Sequence, residues 1–236
     1  MFTKANPMFR SYPSITPTLL LGVQLGVTLF FFALPAQVFG YTAARWTGET
    51  LNGQFCRGKA QGFGPFNYLA RSQNSTELAM VEDHHFTRQV ESLVQGQSGS
   101  IINDLDYTLV AWPNHHRALS SVIQYAILKK EPPLHSPPEC YLQRAINFIP
   151  TDVTPRLLYA IYLHKLGYKE KALQQYKEVE EISPKNPELH YNMGLLLISM
   201  KNYEEANIHA QKAYQAGYPL PGLKNQLTKL GYWRDQ

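Results

Sequence analysis

Two stretches near the C-terminus, residues 153–186 and 187–220, repeat at an offset of 34 residues, and no other feature limits the fold so tightly. Ala172 falls on Ala206, and Val179 falls on Ala213. Small or medium side chains recur in this way where two antiparallel helices must approach closely, and Gly194 meets the same need on the first helix of the second copy. Gly167 closes the first helix of the first copy, with Tyr176 packed beside it. Pro184 ends the pair, because proline cannot continue a helix and restrains the residue before it. A unit of this length is a helix–turn–helix hairpin.

Shifting back by another 34 residues places Pro150 where Pro184 stands and Ala145 where Val179 stands. Residues 140–148 therefore read as the second helix of an earlier, degenerate unit, apolar at Cys140, Leu142, Ala145, Ile146 and Phe148. Its first helix is expected over residues 115–130, where Ala118, Leu119, Val122, Ile123, Ala126 and Ile127 recur at helical spacing. Pro132, Pro133, Pro137 and Pro138 exclude helix between them, so this unit carries an inserted loop. After the last copy, Pro219 and Pro221 precede Leu223, Leu227, Leu230 and Trp233. That is the amphipathic cap a terminal unit needs to cover its apolar face. The spacing and the small-residue positions resemble those of the tetratricopeptide family. The resemblance implies an all-α fold of about three helical-hairpin units plus a capping helix over residues 113–236, preceded by an irregular, Gly- and aromatic-rich segment over residues 41–112.

The other end reads as a targeting signal. Lys4 and Arg10 are the only charges before Arg45, and residues 19–34 are apolar apart from Gln24 and Thr28. Pro35, Ala36 and then Val38-Phe39-Gly40 follow. A basic start, an apolar middle and a small-residue end describe a secretory signal peptide over residues 1–40. Residues 19–39 are also long enough to cross a bilayer as an uncleaved anchor. The chain is thus expected to be periplasmic or secreted, or held at the inner membrane by that one segment. Residues 41–236 keep 20 basic and 18 acidic side chains, a near balance that offers no clustered basic surface to nucleic-acid phosphates.

Only two cysteines occur, Cys56 and Cys140, and both lie in the exported part. An even count in an oxidising compartment favours a disulfide, the alternative being two buried thiols. Closing a loop across 84 residues stabilises a fold by roughly 4 kcal/mol in the chain-entropy model. Neither cysteine belongs to a Cys-x-x-Cys pair, which argues against a redox enzyme or a c-type haem site.

In residues 41–112, Gly53, Gly58, Gly62, Gly64 and Pro65 alternate with Phe55, Phe63, Phe66 and Tyr68. Glycines permit tight turns and the aromatics give such a loop something to bury, so it reads as an ordered irregular segment laid over the repeats. One helix is expected over residues 87–95, with Thr87 as N-cap, Val90, Leu93 and Val94 on one face, and Gly96 ending it. Leu105, Tyr107, Leu109 and Ala111 alternate with Asp106, Thr108 and Val110, as in a short strand or an extended lead into Pro113.

Four strings in and after this region are Gly62-Phe63-Gly64-Pro65-Phe66-Asn67-Tyr68, Val81-Glu82-Asp83-His84-His85-Phe86-Thr87, Asp104-Leu105-Asp106-Tyr107-Thr108-Leu109 and Pro113-Asn114-His115-His116-Arg117-Ala118-Leu119. They resemble those of a set of exported bacterial tetratricopeptide proteins, which implies an architecture and no particular reaction. They also contain the candidates for chemistry: His84, His85, His115 and His116, with Glu82, Asp83, Asp104 and Asp106. Imidazoles and carboxylates brought together could hold zinc or another transition metal and make the chain a metal-dependent envelope enzyme. Adjacent histidines on a helix point about 100° apart, however. No His-x-x-x-His or His-Glu-x-x-His spacing occurs either. The expectation is that one histidine of each pair packs under the repeats against a carboxylate while the other faces water, with no metal and no cofactor. Gly96-Gln97-Ser98-Gly99-Ser100 misses the nucleophile elbow Gly-x-Ser-x-Gly by one position, and no phosphate-binding Gly-x-x-x-x-Gly-Lys loop is present.

What remains is binding. Stacked helix pairs curve so that the first helix of each unit lines a concave groove suited to an extended peptide or a partner's helix. By the family pattern, the groove-facing positions are Leu157, Ile161, His164 and Lys165 in one copy and Tyr191, Asn192, Leu195 and Ser199 in the next. Asn192 matches the asparagine that often bonds a ligand's backbone in this family, whereas the earlier copy has Leu158 there, and the basic set that grips a terminal carboxylate is incomplete. The resemblance thus implies an exported protein-binding or scaffold module of an envelope assembly. Its groove would be open to a protein or peptide, or filled by residues 41–112 of the same chain.

Overall fold

The computed structural model describes residues 43–130 and 133–234. The expected leader over residues 1–40 and the anchor over residues 19–39 lie outside the described residues. The helices run in the order α1 (Ser75–His85), α2 (Arg88–Glu91), α3 (Ile101–Ala111), α4 (His116–Ile127), α5 (Pro138–Phe148), α6 (Val153–Lys165), α7 (Lys169–Ile182), α8 (Pro187–Ser199), α9 (Tyr203–Gln215) and α10 (Gly222–Leu230). A 3-10 stretch, Tyr68–Asn74, precedes α1. The fold is an all-α array of helical hairpins, and residues Gly40–Gln236 cluster as one compact unit.

Backbone geometry identifies three hairpin units independently of residue type. Lys129, Gly167 and Lys201 follow α4, α6 and α8, and all three have positive φ, at 49°, 85° and 64°. In each turn the next residue's N–H reaches back to the last helical turn: Lys130 to Tyr125, Tyr168 to Leu163, and Asn202 to Leu197. This is the left-handed closure that satisfies a helix's last carbonyls. Glycine adopts it freely, while lysine at the other two turns is held there against a cost of about 1–2 kcal/mol. Side chains cap the helix starts. Asp152 accepts from the Thr154 N–H at 3.2 Å before α6, and Asn186 accepts from the Leu189 N–H at 3.0 Å before α8.

The repeating positions sit where the helices meet. Ala172, Val179, Ala206 and Ala213 are fully buried, as are Tyr176 and Ala145. Gly194 allows the cap to dock, because a Cβ there would lie 2.6 Å from Leu223 of α10. Leu223 and Leu227 complete the last core, with Trp233 packed against it, while Leu230 stays exposed.

The region before the repeats is more helical than its sequence suggests. The pattern read as a strand or extended lead over residues 105–111 is α3, and α1 was not anticipated at all. Ile102, Leu105, Leu109 and Trp112 are buried at helical spacing. The polar residues between them, which looked like a solvent face, are buried too: Asp104, Asp106 and Thr108 all find partners. The helix expected over residues 87–95 shrinks to α2, because Leu93 turns to φ 59° and Val94 faces solvent. α1 packs on α3 and α3 on α4, so much of the segment expected as an ordered irregular layer over the repeats is helical. Residues before Tyr68 are irregular, and there Trp46 stacks edge-on against Tyr141 of α5 and Phe66 lies against Trp112. The Sγ atoms of Cys56 and Cys140 are joined, with the two Cα atoms 5.3 Å apart.

Candidate functional site

The four histidines singled out by sequence go to separate carboxylates. His85 Nδ1 donates to Asp104 at 2.9 Å, and Asp104 also accepts from the N–H groups of Gln97 and Ser98. His116 Nε2 donates to Asp152 at 2.8 Å, beside the buried amide of Asn114, which bridges Asp152, Asn67 and the Tyr68 N–H. His115 is fully buried and uses both ring nitrogens: Nδ1 accepts from the Ala118 N–H as the N-cap of α4, and Nε2 donates to Glu82 at 2.9 Å. Arg117 holds the same carboxylate at 2.7 Å and reaches Glu91 at 3.1 Å. His84 is exposed. Three of the four strings therefore meet around Tyr68, Glu82 and His115, and Asp104 of the other holds His85, but as separate polar clamps. They do not form the convergent metal or acid–base site that the enzyme reading requires. Among the described residues, the one set of three metal-capable groups within reach of one another lies elsewhere, at Glu180, His190 and His209.

The clamp at His115 predicts how stability responds to acid. Capping α4 requires a lone pair on Nδ1, so the ring is neutral in the fold. Burial pushes its pKa below 6.5, against the pull of Glu82. As pH falls through about 6.5 the unfolded chain takes up a proton that the folded chain resists, and stability declines. Glu82 is held below 4.5, chiefly by the hydrogen bond from His115, so a second loss follows below that pH. Urea midpoints should be level from pH 8 to 7 and fall steadily towards pH 4. His115→Asn, which keeps a capping oxygen, should be less stable at pH 7 and visibly less sensitive between pH 7 and 5. A midpoint that is level from pH 7 to 5 would show that His115 is not buried neutral.

The groove positions divide. Leu157 and Tyr191 are 3% and 8% exposed and belong to the core. Tyr191 stacks on Tyr218 at 4.3 Å, and its hydroxyl lies against Gly222, so the turn into the cap covers it. Asn192 donates its amide to the Glu188 carbonyl one turn back at 2.9 Å. Ile161, His164, Leu195 and Ser199 are half-buried and Lys165 is exposed, all on α6 and α8, which pack directly on each other. Burial lowers the pKa of His164, and the positive charges of Lys169 and Lys165 add to the effect. Lys169 also donates to the Ser199 carbonyl, tying the start of α7 to the end of α8. A feature sequence reasoning missed is a pocket of about 350 Å³ walled by Tyr125, Leu134, Pro137, Pro138 and Tyr162, with Lys129 at its edge. The prolines announced the inserted loop, but nothing in them said that it would stand off α4.

Among the described residues no helix is long and apolar enough to cross a membrane. Residues 162–201, from the end of α6 through α7 to the turn after α8, match the family described as TPR repeat. No curated protein matches the chain.

Proposed function

We propose that this chain, which carries tetratricopeptide repeats and with them a protein-interaction or scaffold architecture, is an exported protein-binding module of an envelope assembly, with no catalysis of its own. The observation that carries the reading is the surface shared by α6 and α8. Ile161, Leu195 and the half-exposed Asn192 present apolar and amide contacts there, beside the positive charge of Lys165 and Lys169. It suits an extended peptide or an amphipathic helix with apolar anchors and acidic flanks. Export is supported by the leader-like pattern of residues 1–40 and by the Cys56–Cys140 linkage, which persists in an oxidising compartment. The competing reading, a metal-dependent enzyme built on His84, His85, His115 and His116, lacks a convergent site.

The groove reading predicts that Leu195→Asp and Lys165→Glu, both at solvent-accessible positions, abolish co-purification of a bound protein from native envelopes. Lys165→Glu, at an exposed position, should change stability by less than about 1 kcal/mol, which separates lost binding from lost folding. Undiminished co-purification by both variants would place the working surface elsewhere.

A further inference from the structure

A metal donor set lies away from the groove, where three consecutive helices meet. Glu180 comes from the end of α7, His190 from the first turn of α8 and His209 from the middle of α9, and one ligand atom of each lies within 4.8 Å of the others. The two imidazoles are almost sealed from solvent, at 1% and 4% exposure, and their Nδ1 atoms are 3.0 Å apart. His190 Nε2 lies 2.8 Å from the Pro184 carbonyl. A carbonyl only accepts, so Nε2 carries the proton and the Nδ1 lone pair of His190 points at His209. A backbone carbonyl on the far nitrogen is one of the partners that orient a metal-binding histidine.

Without an ion, His209 Nδ1–H donates to His190. With one, His209 needs only to move its proton to Nε2, and both Nδ1 lone pairs then face the same point. Two nitrogens at 2.0–2.1 Å from a tetrahedral ion stand about 3.3 Å apart, so a few tenths of an ångström of opening seats it. Glu180 supplies the charge. Its side chain is 30% exposed, which leaves an approach from solvent, and Lys212 holds one of its oxygens at 3.1 Å.

The neighbouring unit shows that the architecture does not require such donors. At an offset of 34 residues, the places of Glu180, His190 and His209 are taken by Ile146, Arg156 and Gln175. Arg156 there bonds Gln175 and Glu178 directly, beside an open pocket of about 400 Å³.

We infer that Glu180, His190 and His209 form a site for a divalent transition cation, Zn²⁺ being the best match to two imidazoles and a carboxylate, which clamps α7 of one unit to α8 and α9 of the next. The fourth position is left for water. The site is independent of the groove reading and sets the angle between the last two units.

The test uses the full mature chain stripped with a chelator, titrated with Zn²⁺ by calorimetry and with Co²⁺ by visible absorption. The expected result is one equivalent bound, ligand-field bands of a tetrahedral Co²⁺ site and a raised melting temperature. Glu180→Gln, at a partly exposed position that leaves the fold intact, should weaken binding at least tenfold, and His209→Gln should remove it. His84→Gln should bind as the parent does. Absence of stoichiometric binding, or binding that Glu180→Gln leaves unchanged, would overturn the inference.

Discussion

Replacing Arg144 with alanine is expected to cost about 3–5 kcal/mol and to release the irregular segment from the array. Arg144 lies on α5 and is 1% exposed, yet every branch of its guanidinium is used. Nε donates to the Ala44 carbonyl at 2.8 Å, Nη1 to Leu109 at 2.6 Å, and Nη2 to the Gln61 amide oxygen at 2.8 Å. Leu109 and Val110 belong to the last turn of α3, whose carbonyls have no partner within their own helix. Gln61 donates to Val110 at 3.0 Å and the Phe66 N–H donates to Ala111 at 2.9 Å, so the segment before Tyr68 acts as the C-terminal cap of α3. Burial lowers the arginine's pKa to about 10, and the nearby Asp106 carboxylate opposes the fall. Truncation would leave several buried acceptors unpaired and remove the cation over the Trp46 ring at 4.9 Å. At roughly 2–4 °C per kcal/mol for a chain of this size, the melting temperature should drop by about 10–15 °C. Lysine should rescue little, because one ammonium cannot serve carbonyls spread around a planar fork. A loss below about 1 kcal/mol in a urea melt would show that the segment does not depend on Arg144.

Breaking the Cys56–Cys140 bond should have a comparable effect by a different route. The bond closes a loop of 84 residues, and opening it returns that much conformational freedom to the unfolded chain, worth roughly 4 kcal/mol in the entropy model. It pins the segment to the first turn of α5, where Leu51 N–H donates to Glu139 at 3.0 Å and Gln143 donates to the Glu49 carbonyl at 2.7 Å. Cys140→Ser, or reduction of the parent, should therefore lower the urea midpoint strongly, while Cys140→Ser should be indifferent to reductant. Mass analysis without reductant should find the two cysteines linked. Free thiols in material from the oxidising compartment, or a midpoint unmoved by reduction, would contradict this. Because Cys140 and Arg144 hold the same segment, the double variant should lose less than the two single losses added together.

How much of this could be read in advance follows from where each residue finds its partner. The hairpins were legible because Ala172, Ala206, Gly167 and Pro184 act locally, within one helix pair or its turn. The third unit was legible despite its degenerate residues, since its proline and small positions keep the period. α3 was hidden because Asp104, Asp106 and Thr108 are buried by bonds to Gln97, Tyr141 and the Asp104 carbonyl, so its apolar stripe is interrupted by groups that normally mark a water-facing side, and α1 was hidden because it buries only Val81. Groove positions carried over from a family pattern failed at Tyr191, because what covers it is Tyr218 in the turn leading to the cap, which the pattern does not describe. The His190–His209 pair left no sequence trace, since its members sit on different helices and meet only when the hairpin closes.

The groove claim is tested most directly by photo-crosslinking in the native envelope, with a photoreactive residue at Leu195, a second at Lys165, and a control at Ile208, an exposed site on α9. Adducts to one distinct polypeptide are expected from Leu195 and Lys165, lost on Ile161→Asp, and none from Ile208. Adducts from Ile208 alone, or adducts from Leu195 only to this chain's own residues before Tyr68, would contradict it.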